Sequence, residues 1–311
     1  MPLLTTPSAL SAETADRLRS RHVDVAGMFF KTCLIGATVF AAGFLAVLLG
    51  VMIVEGWDVL TTRPLHFLTH GFSQTSAASA GVWHGIVGSL QLALITGVLA
   101  VPVGVATAVY LVEYASKSRF SRFVELNIRN LAGVPSIVYG LLGLAIFVKS
   151  LGSITHGKTV ISGGLTLAAL AMPIIVITSV EALKAIPTGI RESAYAVGAT
   201  KWEVVSRQVL PAGLPTILTG TVLALARAAG EAAPLILVGA ATGFFTFGDA
   251  NVAETFTGPF TALPVLIFNF ARQPGREWQA NAAAASVVVM LLVLAINGAA
   301  IYLRNRFERR W

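Results

Sequence analysis

LPTILTGTVLALARAAGEAAPLILVGAA, residues 214–241, is apolar enough to cross a membrane, yet it carries Arg227 and Glu231 near its centre. Their four-residue spacing puts both side chains on one face of a helix. Arg227 is the fourteenth of these 28 residues, about 20 Å along at the helical rise and close to a bilayer midplane. An arginine at that depth costs about 2.5–3.5 kcal/mol on insertion scales, so it is expected to face a partner or a polar pathway. Gly220 and Ala224 share its face and leave space for either a close helix neighbour or a narrow passage. Pro234 has no amide proton, which predicts a bend and a free carbonyl at Gly230 beside Glu231. Two readings follow. The pair is an ion lock between helices, or it lines an anion path. In the second, the planar guanidinium fork takes oxyanion oxygens and Glu231 orients it when empty.

The rest of the chain shares this apolar character. Of 311 residues, 55% are hydrophobic and 12% charged, with a mean hydropathy of +0.77. A water-soluble domain carries about twice that charged fraction. The apolar residues come in long runs, whereas a transmembrane barrel alternates apolar and polar positions. The fold class is therefore an all-α integral membrane protein. Six spans are predicted, at about residues 32–54, 84–112, 131–148, 163–180, 214–241 and 280–303. The second and fifth exceed the roughly 20 residues needed to cross, so tilting, kinking or projection beyond the lipid is expected.

An even number of spans puts both termini on one side. That side carries Arg17, Arg19, Arg21, Lys31, Lys117, Arg119, Arg122, Arg129, Lys184, Arg191, Lys201, Arg207, Arg304, Arg306, Arg309 and Arg310. The other carries Arg63, Lys149, Lys158, Arg272 and Arg276. Sixteen cations against five predicts cytoplasmic termini. The net charge of +7 is largely this bias. It is spread over four segments and does not form a nucleic-acid surface.

The expected order is a cytoplasmic segment at 1–31, a first span and extracytoplasmic loop at 32–83, a transmembrane core at 84–303 and a cytoplasmic tail at 304–311. The first apolar run reads as a retained signal anchor, and residues 8–24 as a short surface helix. Cys33 stands alone, which excludes an internal disulfide. The loop at 242–279 holds Phe244, Phe245, Phe247, Phe256, Phe260, Phe268 and Phe270. So aromatic a loop predicts an interfacial belt, a docking surface or a gate.

Gly152-Ser-Ile-Thr-His-Gly-Lys-Thr159 matches a phosphate-binding loop formally. That motif works between a strand and a helix of an α/β domain, and here it lies between membrane runs. A glycine turn with one snorkelling Lys158 explains it. His66 and His70 are four apart but lack the third ligand or adjacent glutamate of a zinc site. No Ser/His/Asp or Cys/His set can be assembled, so no catalytic or metal residue is assigned.

Residues 185–213 differ from their surroundings. They read AIPTGIRESAYAVGATKWEVVSRQVLPAG, polar, helix-compatible and placed on the cytoplasmic side. A helix over 192–209 would put Tyr195, Gly198, Ala199, Trp202 and Val205 near one face. Such a notched amphipathic helix docks on a partner or on lipid.

Within it, Glu192-Ser-Ala-x3-Gly198-x9-Gln208-x-Leu210-Pro211 resembles the EAA loop of ABC-importer permeases, with Ser193 and Gln208 as the two departures. Residues 94–114, LITGVLAVPVGVATAVYLVEY, resemble the start of the permease core. VPSIVYGLLG at 134–143, ARAAGEAAPL at 226–235 and NFARQP at 269–274 look like phosphate-importer permeases of the Pst system, the PstA type more than the PstC type. The resemblance implies a MetI-like fold in a bacterial inner membrane. It implies Glu192, Ser193, Ala194, Gly198, Leu210 and Pro211 as a coupling segment seated on an ATPase. The implied partners are a PstC-like second permease, an ATPase dimer and an extracytoplasmic phosphate-binding protein. ATP and magnesium would be used by the ATPase, and no cofactor would be bound by this chain. Arg227 and Glu231 would then line the phosphate path. The competing readings are a permease for sulfate or molybdate, an ion-driven carrier and an intramembrane enzyme.

Overall fold

The computed structural model describes residues 25–115, 118–240 and 256–307, and all regular structure among them is helical. The first apolar run forms one long helix, α1 (Val25–Thr62). Its threonines return their hydroxyls to its own backbone, Thr32 to the Met28 carbonyl at 2.9 Å and Thr38 to the Leu34 carbonyl at 2.8 Å, so these hydroxyls are satisfied in an apolar setting. The chain divides into two compact units, Met1–Val51 and Met52–Trp311. The predicted surface helix at 8–24 lies outside the described residues.

After the short α2 (Pro64–Thr69) come α3 (Trp83–Val109), α4 (Arg119–Ala132), α5 (Ser136–Gly143) and the single turn α6 (Gly152–Thr155). They are followed by α7 (Val160–Lys184), α8 (Thr188–Ala196), α9 (Lys201–Val204) and α10 (Leu210–Ala229). The series closes with α11 (Ala233–Val238), α12 (Leu263–Arg272) and α13 (Arg276–Phe307). Wider π-type turns extend α3 through Tyr110–Tyr114 and α5 through Leu144–Ser150, and join α9 to α10 through Val205–Val209. Five helices are long and apolar enough to cross a membrane, and a sixth crossing comes from α4 and α5 if that bent pair is counted as one span.

Small residues set the packing. A Cβ on Gly164 would stand 2.5 Å from Ile95, and one on Gly104 would stand 2.8 Å from Ile175. These paired positions rise together, so α3 and α7 run parallel at close approach. In contrast, Gly213 packs on Leu183 and Ile186 and Gly220 on Thr178, so α10 runs antiparallel to α7. Parallel α3 and α7 require a return crossing between them, which α5 supplies.

Three corrections to the sequence reading follow. The third span does not begin at Leu131. Gly133–Pro135 break the helix, and α5 with its wide turn leaves α4 at an angle of 101°. Pro135 cannot donate a helical hydrogen bond, and it disfavours helical geometry in the residue before it. The fifth span does not run from 214 to 241. One continuous helix covers Lys201–Ala229, then the backbone breaks at Gly230–Ala232 before α11, where Pro234 occupies the first turn. Finally, Phe260 and Phe270 of the aromatic loop are 3% and 0% exposed, core residues rather than an interfacial belt. Phe256 packs partly buried against the same region, and Phe268 is exposed. Phe244, Phe245 and Phe247 lie outside the described residues.

The end of the bundle holding residues 183–213 and the α3 terminus is its basic end. Its core contains Ala108, Val109, Val180, Leu183, Val204, Val205 and Val209. At the opposite end Val59, Phe67, Val82, Leu263, Leu266 and Phe270 pack together. Asn281, fully buried, there accepts from Arg63 Nη2 at 2.7 Å and donates to the Ala77 carbonyl at 2.9 Å.

Candidate functional site

Two sets of predicted residues can be placed, one at the helix break and one at the basic end.

Arg227 sits in the last turn of α10 and Glu231 just beyond it, on the unwound backbone. A cation in the last turn suits the partial negative charge of a helix C-terminus. Arg227 Nε lies 3.9 Å from Glu231 Oε1, with the two side chains 53% and 20% exposed. That is ionic contact without a hydrogen bond. The carboxylate thus neutralises the guanidinium without occupying its fork. The depth is central to the bundle, because the neighbouring Ala228 packs with Ala100, Ala168 and Ala171. Gly220 and Ala224 are buried, and Gly220 meets Thr178. The small residues therefore serve close helix packing, and the alternative of a passage along them is not realised. Beside Ala228 and Ala229 the interior holds a cavity of only about 10 Å³, room for about one water. Any wider space at Arg227 lies on its exposed side.

The break also joins two of the motif stretches. A Cβ on Gly140 would stand 2.6 Å from Pro234 Cα, so VPSIVYGLLG and ARAAGEAAPL form one contact. Tyr139 donates to the Leu131 carbonyl at 2.9 Å and satisfies an orphan acceptor at the end of α4.

At the basic end the predicted single helix over 192–209 is two helices. Gly198 has φ +85°, a left-handed turn that glycine adopts without strain. It closes α8 through bonds from Gly198 N to the Tyr195 carbonyl and from Ala199 N to the Ala194 carbonyl. Thr200 then caps α9 in a reciprocal box with Glu203, whose Oε2 accepts from Thr200 N at 2.9 Å. The T-x-x-E spacing was a legible signal for that start. The predicted apolar face is divided as a result. Val205 is buried, whereas Tyr195 and Trp202 are 44% and 64% exposed, and Val197, outside that face, is 85% exposed. Glu192 and Ser193 are exposed on α8, Ala194 and Leu210 pack against the core, and Pro211 is exposed two residues past the wide π turn.

The structure adds a residue that the spacing could not reveal. Arg191 donates through Nε at 3.1 Å and Nη2 at 2.8 Å to Glu113 Oε1. It also donates to the Ile186 and Leu183 carbonyls, both at 2.9 Å. One guanidinium thus ties α8 to the ends of α3 and α7, with side chains 17% and 7% exposed. It satisfies carbonyls that a helix terminus leaves open. Nearby, Glu125 of α4 accepts from Lys184 at 2.9 Å and Arg129 at 3.1 Å, and Arg129 reaches Glu181 at 2.7 Å. The hydrogen bond from Lys184 first, then that from Arg129, holds the Glu125 carboxyl below its ordinary value. Glu125, Lys184 and Arg191 border a cleft of about 750 Å³ between α4, α7, α8 and the wide turn that extends α3.

A bundle of apolar crossings with a polar two-helix segment at one end and a broken, charged helix at mid-depth is the build of a membrane transport component. Residues 100–311 match the model of the family described as "Binding-protein-dependent transport system inner membrane component". The phosphate transport system permease protein PstA 1 of Mycobacterium tuberculosis (strain CDC 1551 / Oshkosh) is 34% identical over 92% of this chain and 90% of its own length. PstA of Yersinia pestis is 36% identical over 71% of this chain and 72% of its own. A chain of the MetNI methionine ABC transporter, solved in inward-facing conformations, shares the fold with a TM-score of 0.58 at 19% identity, covering 72% of this chain and 95% of that one. The chain belongs to this family of multi-pass inner-membrane transport components, as a member of its PstA group.

Proposed function

We propose that this chain is one of two permease subunits of an ATP-driven importer of inorganic phosphate, and that Arg227 stands on the translocation path. The observation that carries the reading is the half-exposed Arg227 guanidinium at a helix break in mid-bundle, with Glu231 at 3.9 Å and outside hydrogen-bond reach. Discontinuous helices at mid-depth are where transporters bind polar substrates, because backbone and side-chain groups are freed there. The fork of Arg227 suits two oxygens of a phosphate, and Glu231 holds it between passages. Because the exposed side of Arg227 faces out of this chain, a related second permease supplies the opposite wall.

Both termini and the basic end are cytoplasmic, as the sixteen-to-five distribution of cations implies. The segment from Glu192 through Ser193, Ala194, Gly198, Leu210 and Pro211 then meets an ATPase dimer. Exposed Tyr195, Val197 and Trp202 supply apolar contact area. ATP and magnesium act in that partner, and a phosphate-binding protein delivers substrate at the opposite end. The similarity to the PstA proteins supports phosphate over sulfate or molybdate.

The test is phosphate uptake by the assembled complex carrying Arg227→Ala. Uptake falls to background while the subunits still co-purify. Wild-type uptake by that variant, or uptake of sulfate that phosphate does not compete away, overturns the assignment.

A further inference from the structure

Helix α4 is amphipathic and lies at about a right angle to the helix that follows it, the bend being 101°. Phe120, Phe123, Val124, Ile128 and Leu131 form one stripe at helical spacing. Ile128 is packed against the core of the basic end, but Phe120, Phe123 and Leu131 are 73%, 62% and 47% exposed. Arg122, Glu125 and Arg129 occupy the opposite face, with Arg119 at its border. Glu125 and Arg129 are consumed by ion pairs with α7. Arg119 and Arg122 are exposed, have no carboxylate partner among the described residues, and line the 750 Å³ cleft with Ser118 and Ser121.

We infer that α4 lies in the membrane interface and that Arg119 and Arg122 hold the headgroups of anionic phospholipids. Three features on the same helix support this. A helix set across a membrane-crossing neighbour lies along the bilayer surface. An exposed aromatic stripe on such a helix belongs at the boundary between headgroups and acyl chains. Unpaired arginines reach headgroup phosphates, Arg122 from the polar face and Arg119 from the border of the apolar stripe. The ion pairs to Glu181 and Lys184 fasten this surface helix to the end of α7, four residues before α8 begins. Lipid charge is thereby felt next to the polar two-helix segment.

Two measurements on the full-length chain in nanodiscs test it. With Cys33→Ser and Phe123→Cys, a spin label at 123 should collide more often with oxygen than with a water-soluble nickel chelate. The reverse ratio places the stripe in water, and low access to both places it under protein. Either overturns the inference. Independently, native mass spectrometry of the unsubstituted chain should show preferential retention of phosphatidylglycerol over phosphatidylcholine. The preference should fall by about fivefold per arginine in Arg119→Gln and Arg122→Gln, the weight of one charge at an anionic surface. Equal retention of the two lipids, or an unchanged preference in the double variant, overturns it.

Discussion

At the scale of single residues, Arg191 and Glu113 carry the most structural consequence per side chain. The pair is 78 positions apart in sequence, largely withdrawn from solvent, and supported by two backbone carbonyls. Removing one member leaves the other charge in place without its counterion, which costs about 3 kcal/mol where a buried pair is broken. We predict that Glu113→Ala lowers the thermal midpoint of the purified chain by several degrees. Arg191→Ala should do the same and also loosen α8, seen as faster amide exchange over residues 188–196. Exchange there at the wild-type rate would mean that the pair is not what fastens the segment. Arg227 and Glu231 differ in kind. Their loose, exposed contact contributes little to stability, so their loss should be read in transport and not in folding.

At the scale of elements, two joints decide how the basic end responds. Gly198 makes the left-handed turn between α8 and α9. An alanine there meets no steric neighbour, so the whole effect is the conformational cost, about 1–2 kcal/mol. We predict that Gly198→Ala keeps the membrane helices intact by circular dichroism but recovers less ATPase on pull-down than wild type. Full recovery would count against the turn as part of the docking surface. The second joint is the Glu125 network between α4 and α7. The Glu125 carboxyl titrates below its ordinary value of 4.5 in the folded chain, so its contribution is present above that value. It is lost as pH falls through the lower folded value. Its partners are solvent-exposed, so the effect is small and salt-sensitive. Amide exchange of α4 should rise on acidification below pH 4.5 in the wild type and be flat over the same range in Glu125→Gln. An equal acid response in both would assign the change to another group.

At the scale of the molecule, the space around Arg227 sets the terms. The described interior offers room for about one water near Arg227, while the guanidinium itself is half exposed. The proposed transport role therefore needs a second wall and a source of work. Purification of the tagged chain from its host should bring down a related permease and an ATPase in fixed ratio. Uptake in proteoliposomes holding this chain alone, driven by an ion gradient, would instead favour a self-sufficient carrier.

Some of this was determined by the sequence alone. Apolar runs of membrane-crossing length leave no structural choice but helices, since lipid offers backbone groups no other partners. The motif stretches around Glu192 and Arg227 carried the family, and Pro234 marked the break after α10, whereas the break at Gly198 was not foreseen and Pro102, Pro173 and Pro215 lie inside continuous helices. Tertiary structure alone decided the rest. Whether Gly220 and Ala224 line a passage or a helix contact depends on what lies opposite, and Thr178 does. Phe260 and Phe270 became core because the loop that holds them folds back on the bundle. The Arg191–Glu113 joint depends on two helix ends distant in sequence arriving together, and local periodicity carries no record of such a meeting.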